Sequence, residues 1–218
     1  MGTRFAIWFL LTAVASGQPP VETKEAGGTK PAIISTTDLK EFETLAEDRK
    51  NLISAAIDVA KDSPWLVYKF GGASPAQGGF DCSGAMYYVL TKNGLKPPRS
   101  SADQYLWLKS EGRLNEIPAS VKSTDDPIFK KLHPGDLLFW GGTYVPVDGR
   151  KVNITHVALY LGQEKKDGNE VMINATNGRT YRGIKANGYG VYDFRLPRDE
   201  RRSVFMGFGT PPGIGPVN

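Results

Sequence analysis

The chain has 218 residues, with 27 Lys and Arg against 23 Asp and Glu, two His and a single Cys. That length can bury one good core, so one domain with a short leader is expected, and a lone cysteine excludes an intramolecular disulfide framework. No glycine-rich phosphate loop, metal-ligand cluster or basic stripe with interleaved aromatics is present, which argues against nucleotide, metal and nucleic-acid chemistry and leaves no cofactor or metal expected.

Arg4, the apolar stretch from Phe5 to Val14 and the small residues Ala15-Ser16-Gly17 read as a secretory signal peptide over residues 1–17. The apolar run is too short for a bilayer, which takes about 20 residues, and no later segment supplies a span. The mature chain is therefore expected to be exported, to the periplasm or beyond, with no integral membrane segment. Removing residues 1–17 leaves 26 basic against 23 acidic side chains, a net charge of +3 that suits an acidic polymer such as a bacterial wall. Residues 18–36 mix Pro, Gly, Thr and Lys without periodicity and are expected to be a flexible linker, followed by one domain over 37–210 and a loose tail over 211–218.

Thr37-Asp38 offers a helix N-cap, and Leu39, Phe42, Leu45, Leu52, Ile53, Ala56, Ile57 and Ala60 recur at helical spacing as far as Ser63-Pro64, which predicts one or two helices. From Cys82, the apolar residues Ala85, Met86, Val89 and Leu90 define a second helix, stopped by Asn93-Gly94. Ser101 to Gly112 reads as a third, and 113–131 mainly as loop. Beyond Pro134 come short strands at 136–140, 154–161, 170–175, near 190–194 and 203–208, with a long connection over 142–153. Helices first and strands second predict an α+β fold with an antiparallel sheet.

Cys82 is a buried small hydrophobe, an intermolecular crosslink or a reactive thiol. Its place at a helix start favours the third, because the unpaired N–H groups and the positive end of the helix dipole stabilise a thiolate. A base is needed, and the candidates are His133, in a turn before a strand, and His156, which opens a strand that would hold its ring in a fixed orientation. Pairing Gly162 with Gly168 across a hairpin places His156 opposite Asn174, where the amide could fix the imidazole tautomer, while a slip of one residue would turn Asn174 to the other face. Cys82, His156 and Asn174 then stand as nucleophile, base and orienting group, in the chain order and residue types of papain-like thiol hydrolases.

Tyr68-Lys69-Phe70-Gly71-Gly72, Phe80-Asp81-Cys82-Ser83-Gly84, Pro98-Arg99-Ser100-Ser101 with Gln104, Leu132-His133-Pro134-Gly135-Asp136-Leu137 and His156-Val157-Ala158-Leu159-Tyr160-Leu161-Gly162 run in order over residues 45 to 208. This combination resembles the NlpC-type cell-wall cysteine peptidases, a papain-like family. The resemblance implies hydrolysis of the D-glutamyl to meso-diaminopimelyl bond of peptidoglycan stem peptides, with Cys82 as nucleophile, His156 as base and Asn174 as third polar residue, where many members have histidine. It implies a place for Tyr68 near the oxyanion hole, the alternative being an aromatic packed under the Gly71-Gly72 turn. Asp81 and Ser83 match positions that contact the substrate amine and main chain, against helix capping as the other role. Ser101 matches a segment lining the site, and Arg99 is either an ion-pair donor or a carboxylate ligand. The loops 113–131 and 142–153 are longer than the family minimum, and no separate wall-binding domain is expected. Rival readings are another papain-like activity (an amidase, an acyltransferase or a transglutaminase-like enzyme) and a non-catalytic wall-binding module on the same fold.

Overall fold

The helical spacing that begins at Leu39 becomes a single helix that starts later. In the computed structural model, which describes residues 28–198 and 203–215, helix α1 spans Glu47–Asp62. The expected signal peptide lies outside the described residues. Leu39 is drawn away from any helix by a bridge to Glu164, and Thr37-Asp38 closes a short turn in which the Ser35 N–H donates to the Asp38 carboxylate. α1 buries Leu52, Ile53, Ala56, Ile57 and Ala60, the face its periodicity marks out.

Three two-residue strands follow, β1 (Val67–Tyr68), β2 (Ala73–Ser74) and β3 (Gly79–Phe80), ordered β1-β3-β2. The chain passes directly from β3 into α2 (Cys82–Lys92), then α3 (Ser101–Ser110) and β4 (Leu114–Glu116). The main strands are β5 (Leu137–Gly141), β6 (His156–Gln163), β7 (Glu170–Thr176), β10 (Gly188–Asp193) and β11 (Val204–Gly209), with the small hairpin β8 (Thr180–Tyr181) and β9 (Ile184–Lys185) inserted. They form an antiparallel six-stranded sheet in the order β10-β7-β6-β5-β11-β4. This is the expected α+β architecture.

Both faces of the sheet are covered. Val157, Leu159, Leu161, Ile173 and Val191 pack against the helices, while the alternate residues Trp140, Tyr160, Met172 and Tyr192 form a second apolar cluster with Phe129, Phe194, Phe205 and Phe208. The central strands β5 and β6 thus read as near-continuous apolar runs.

Two stretches expected to be loose are not. Residues 29–34, assigned to the linker, lie along β10, where the Asn187 N–H donates to the Thr29 carbonyl and the Val191 N–H to the Ala32 carbonyl. Pro31 and Ile34 are buried there. β10 is the sheet's edge, and its outward N–H and C=O groups need partners. At the other end, Ile214 is buried, its carbonyl accepts from Arg113, and the Gly215 N–H donates to Asp48. Arg49 adds to this hold on residues 211–215: its buried guanidinium pairs with Asp136 at 3.1 Å and donates to Thr210 Oγ1 at 2.8 Å and to the Gly215 carbonyl at 3.4 Å.

The β6–β7 register also departs from expectation. The hairpin closes with Gln163 opposite Glu170, and a bulge at Leu161 then shifts the pairing to Tyr160 opposite Met172 and Leu159 opposite Ile173. Continued inward, this sets Asn174 opposite Ala158, not opposite His156. Gly162 adopts φ +100° in the bulge, and the Glu41 carboxylate accepts the next N–H, from Gln163, at 3.0 Å.

Candidate active site

Phe80 ends β3 fully buried, and Asp81 caps the helix that follows, its Oδ1 accepting the Gly84 N–H at 2.6 Å. The cap fixes Cys82 at the first position of α2. Gly84 is required here, because a Cβ would collide with the Gly72 carbonyl oxygen. The Cys82 thiol reaches the backbone on both sides of His156: Sγ is 3.9 Å from the Thr155 carbonyl oxygen, and the Val157 N–H points at it.

His156 opens β6 at the sheet end that borders a cleft of about 980 Å³. Its ring packs on Trp140, centroids 5.5 Å apart, and its Nε2 lies 2.7 Å from Asn174 Nδ2. The pair expected from the sequence therefore forms by a different route. The register is two residues from the expected one, and because a shift of two keeps a side chain on its face, Asn174 meets His156 diagonally. Asn174 is fully buried, and its Oδ1 has no hydrogen-bond partner among the described residues.

Tyr68 is half-buried at the end of β1, which runs parallel to β3 with Tyr68 opposite Phe80, and it lines the cleft. Burial, then the charges of Cys82 and Asp81, hold its hydroxyl well above the usual phenol range, so it remains a donor. Asp81 is engaged by the chain's own donors. Beyond the Gly84 cap, it accepts from Ser83 Oγ, from the Gly71 N–H and from both terminal nitrogens of Arg99, the closest at 2.8 Å. Of the two roles the sequence left open for Arg99, the ion pair is the one formed. Ser83 Oγ is closed into the same network, and Ser101, read as lining the site, is buried and donates to the Ile154 carbonyl, tying α3 to the segment that leads into His156. His133 sits in the turn before β5, its N–H bonded to Asp136.

Electrostatics reverses one expectation. Burial, and then the neighbouring Asp81 carboxylate, push the Cys82 thiol up to about 11 against the opposing N–H groups of Val157, Ser83 and Cys82 itself. Burial, and then the positive charge of Arg179, hold His156 well below 6.5. Helix-terminal stabilisation of the thiolate is thus opposed by desolvation, which favours thiol and neutral imidazole over the thiolate expected from the helix start.

Several cleft residues escaped the sequence reading. Phe70 and Tyr144 meet edge to face at 6.4 Å on the rim, and Arg179 lies 4.1 Å above the Trp140 ring. Tyr144 comes from the long 142–153 connection, which Arg150 braces through Asp148 and the Ile154 carbonyl. Only the glycine-bounded length of that loop marked it. Among the described residues there is no group of three metal-ligating side chains and no helix long and apolar enough to cross a membrane.

A thiol at the start of a helix, placed against the backbone that flanks a strand histidine bonded to an amide, lies in a papain-like α+β domain. The chain belongs to the NlpC/P60 family, whose profile matches residues 66–195. It is 35% identical over 127 residues to the protein named "Probable endopeptidase p60" of Listeria welshimeri, covering 57% of this chain and 18% of that one. It is 31% identical over 161 residues to the gamma-DL-glutamyl hydrolase of Bacillus subtilis, covering 72% of this chain and 30% of that one. The chain thus spans less than a third of the length of these relatives. Among solved structures, the peptidoglycan hydrolase RipB of Mycobacterium tuberculosis aligns over 77% of this chain and 69% of its own, with 23% identity and a TM-score of 0.43.

Proposed function

We propose that this chain is an exported cysteine endopeptidase that hydrolyses peptidoglycan stem peptides at the γ-linked bond from D-glutamate to meso-diaminopimelate. The observation that carries the reading is the placement of the Cys82 thiol against the backbone flanking His156, with His156 bonded to the buried Asn174 at 2.7 Å. Names of relatives support the bond: one is a gamma-DL-glutamyl hydrolase, another a bifunctional muramidase/DL-endopeptidase.

The chemistry follows from the neutral pair. Cys82 Sγ attacks the glutamyl γ-carbonyl carbon while its proton passes to His156 Nδ1. That role requires the Asn174 amide to present its oxygen to Nε2–H, the orientation that reserves Nδ1 for the thiol. The oxyanion of the tetrahedral intermediate accepts from the Cys82 N–H and the Tyr68 hydroxyl. Collapse breaks the C–N bond, the leaving amine takes the proton from His156, and water, deprotonated by the same imidazole, hydrolyses the thioester. Asp81 and Ser83 hold the loop and helix that shape the acyl side, and any contact with substrate is shared with Arg99. Ser101 acts behind them, on the segment that carries His156.

The test is digestion of the free tetrapeptide and of purified sacculi, with the products weighed by mass spectrometry. Cleavage between D-glutamate and meso-diaminopimelate is expected, abolished in Cys82→Ala and His156→Ala and retained in His133→Ala. Loss with His133→Ala and activity with His156→Ala would reassign the base. Release of a product joined to an added amine in place of water would make the chain an acyltransferase.

A further inference from the structure

Thr155 is buried immediately before His156, and its backbone carbonyl is the group on which the Cys82 thiol rests, with Sγ 3.9 Å from the oxygen. A second donor reaches the same oxygen. Thr143 is exposed on the cleft at the start of the 142–153 connection, yet its hydroxyl turns inward: Oγ1 donates to the Thr155 carbonyl at 3.3 Å and lies 2.8 Å from Thr155 Oγ1. The Thr143 N–H separately donates to Thr155 Oγ1 at 2.9 Å, so the backbone anchors the connection without the hydroxyl. One residue earlier, the Ile154 carbonyl accepts from Ser101 and from Arg150.

The Thr155 carbonyl and His156 compete for one proton. In the reaction the S–H bond breaks, its electron pair stays on sulfur for the attack, and the proton goes to His156 Nδ1. While the S–H points at the Thr155 oxygen, the thiol form is favoured and the proton is withheld from the imidazole. A hydroxyl donating to that oxygen draws density from its lone pairs. It weakens the carbonyl as an acceptor for the thiol and offsets the repulsion between the oxygen and the charge that develops on sulfur. Besides burial, the titratable groups that bear on the thiol are Asp81, paired with Arg99, then Tyr68 on β1 and His156 on β6, and replacing Thr143 leaves each of them in place.

We infer that Thr143 is a positioning residue for the nucleophile: its hydroxyl occupies the Thr155 carbonyl and leaves the Cys82 proton to His156. The inference rests on the peptidase reading above and deepens it.

The test uses the full chain with two replacements. Thr143→Val keeps the side-chain shape and the N–H anchor and removes the donor, while Thr143→Ser keeps the donor. For each, the pH midpoint of iodoacetamide uptake by Cys82 is read by intact mass, and kcat/KM is measured at pH 7 on L-Ala-γ-D-Glu-meso-diaminopimelyl-D-Ala. Loss of one hydrogen bond to the acceptor predicts a midpoint higher by about half a pH unit and a kcat/KM lower by about threefold in Thr143→Val, with both restored toward wild type in Thr143→Ser. A residue that only anchored the loop would lower Tm and leave the midpoint in place. A midpoint that is unmoved or lower in Thr143→Val, or a Thr143→Ser enzyme that behaves like Thr143→Val, overturns the assignment. A higher midpoint with unchanged kcat/KM overturns the role of Thr143 in the reaction. Failure of the wild type to cut the peptide overturns the peptidase reading, while the alkylation midpoint still decides what Thr143 does to the thiol.

Discussion

Replacing Asp81 by Asn separates two effects that the structure binds together. The amide keeps an oxygen for the Gly84 N–H, so the cap on α2 survives. Its NH2 group, however, faces the Gly71 N–H and Arg99, which the carboxylate Oδ2 now meets at 2.9 and 2.8 Å. Opposed donors in a partly buried site cost about 1–3 kcal/mol. Loss of the ion pair adds less than about 1 kcal/mol, because the Arg99 side chain is 39% exposed. A total of about 1–4 kcal/mol corresponds, in a domain of this size, to a Tm lower by about 2–16 °C. The second effect has the opposite sense. Asp81 is the neighbouring charge that pushes the Cys82 thiol up to about 11, and its removal lowers that value. Since Cys82 is the single cysteine, uptake of iodoacetamide measured by intact mass reports on it alone. The pH midpoint of alkylation, taken well below the melting range, is expected to move down in Asp81→Asn while Tm falls. A midpoint that stays in place or moves up refutes the electrostatic account of the thiol.

The depressed His156 predicts that kcat/KM has its acid limb below pH 6.5 and its alkaline limb toward the thiol value near 11, giving a plateau across neutral pH; activity that falls just above neutral pH, as an imidazolium deprotonates, would instead show a thiolate–imidazolium pair. For the same reason unfolding free energy should fall as pH drops through about 6.5, since the unfolded chain takes the proton before the folded one, and a urea titration at pH 5 and 7 reads this. Asn174→Ala is expected to lower kcat/KM about tenfold to hundredfold by releasing the ring it orients; wild-type activity would remove it from the site. Arg49→Met leaves Asp136 as an uncompensated buried carboxylate and should cost about 3–5 kcal/mol in urea unfolding, whereas a loss under about 1 kcal/mol would show that the pair is not what holds residues 210–215 to α1.

The sequence by itself determined what depends on near neighbours along the chain. The spacing of Ala85, Met86, Val89 and Leu90 after Asp81 placed a capped helix with Cys82 at its start, and the short apolar run from Val157 to Leu161 placed His156 at the head of a strand. Local periodicity and capping are short-range physics, and they were legible. The meeting of His156 with Asn174 was decided by the tertiary structure. From the hairpin end, Gln163 opposite Glu170 would carry Asn174 to the wrong face, and the one-residue bulge at Leu161 restores the parity that brings it back. Beside that bulge the Gln163 N–H is accepted by Glu41, 122 residues away. The charge states likewise belong to the folded molecule. Helix position alone favours a thiolate at Cys82, but burial, Asp81 and Arg179 act through space, and desolvation of both partners opposes the helix end. Arg179 on Trp140 joins residues from β5 and the turn after β7 whose proximity no spacing along the chain encodes, because it is created only when the sheet assembles.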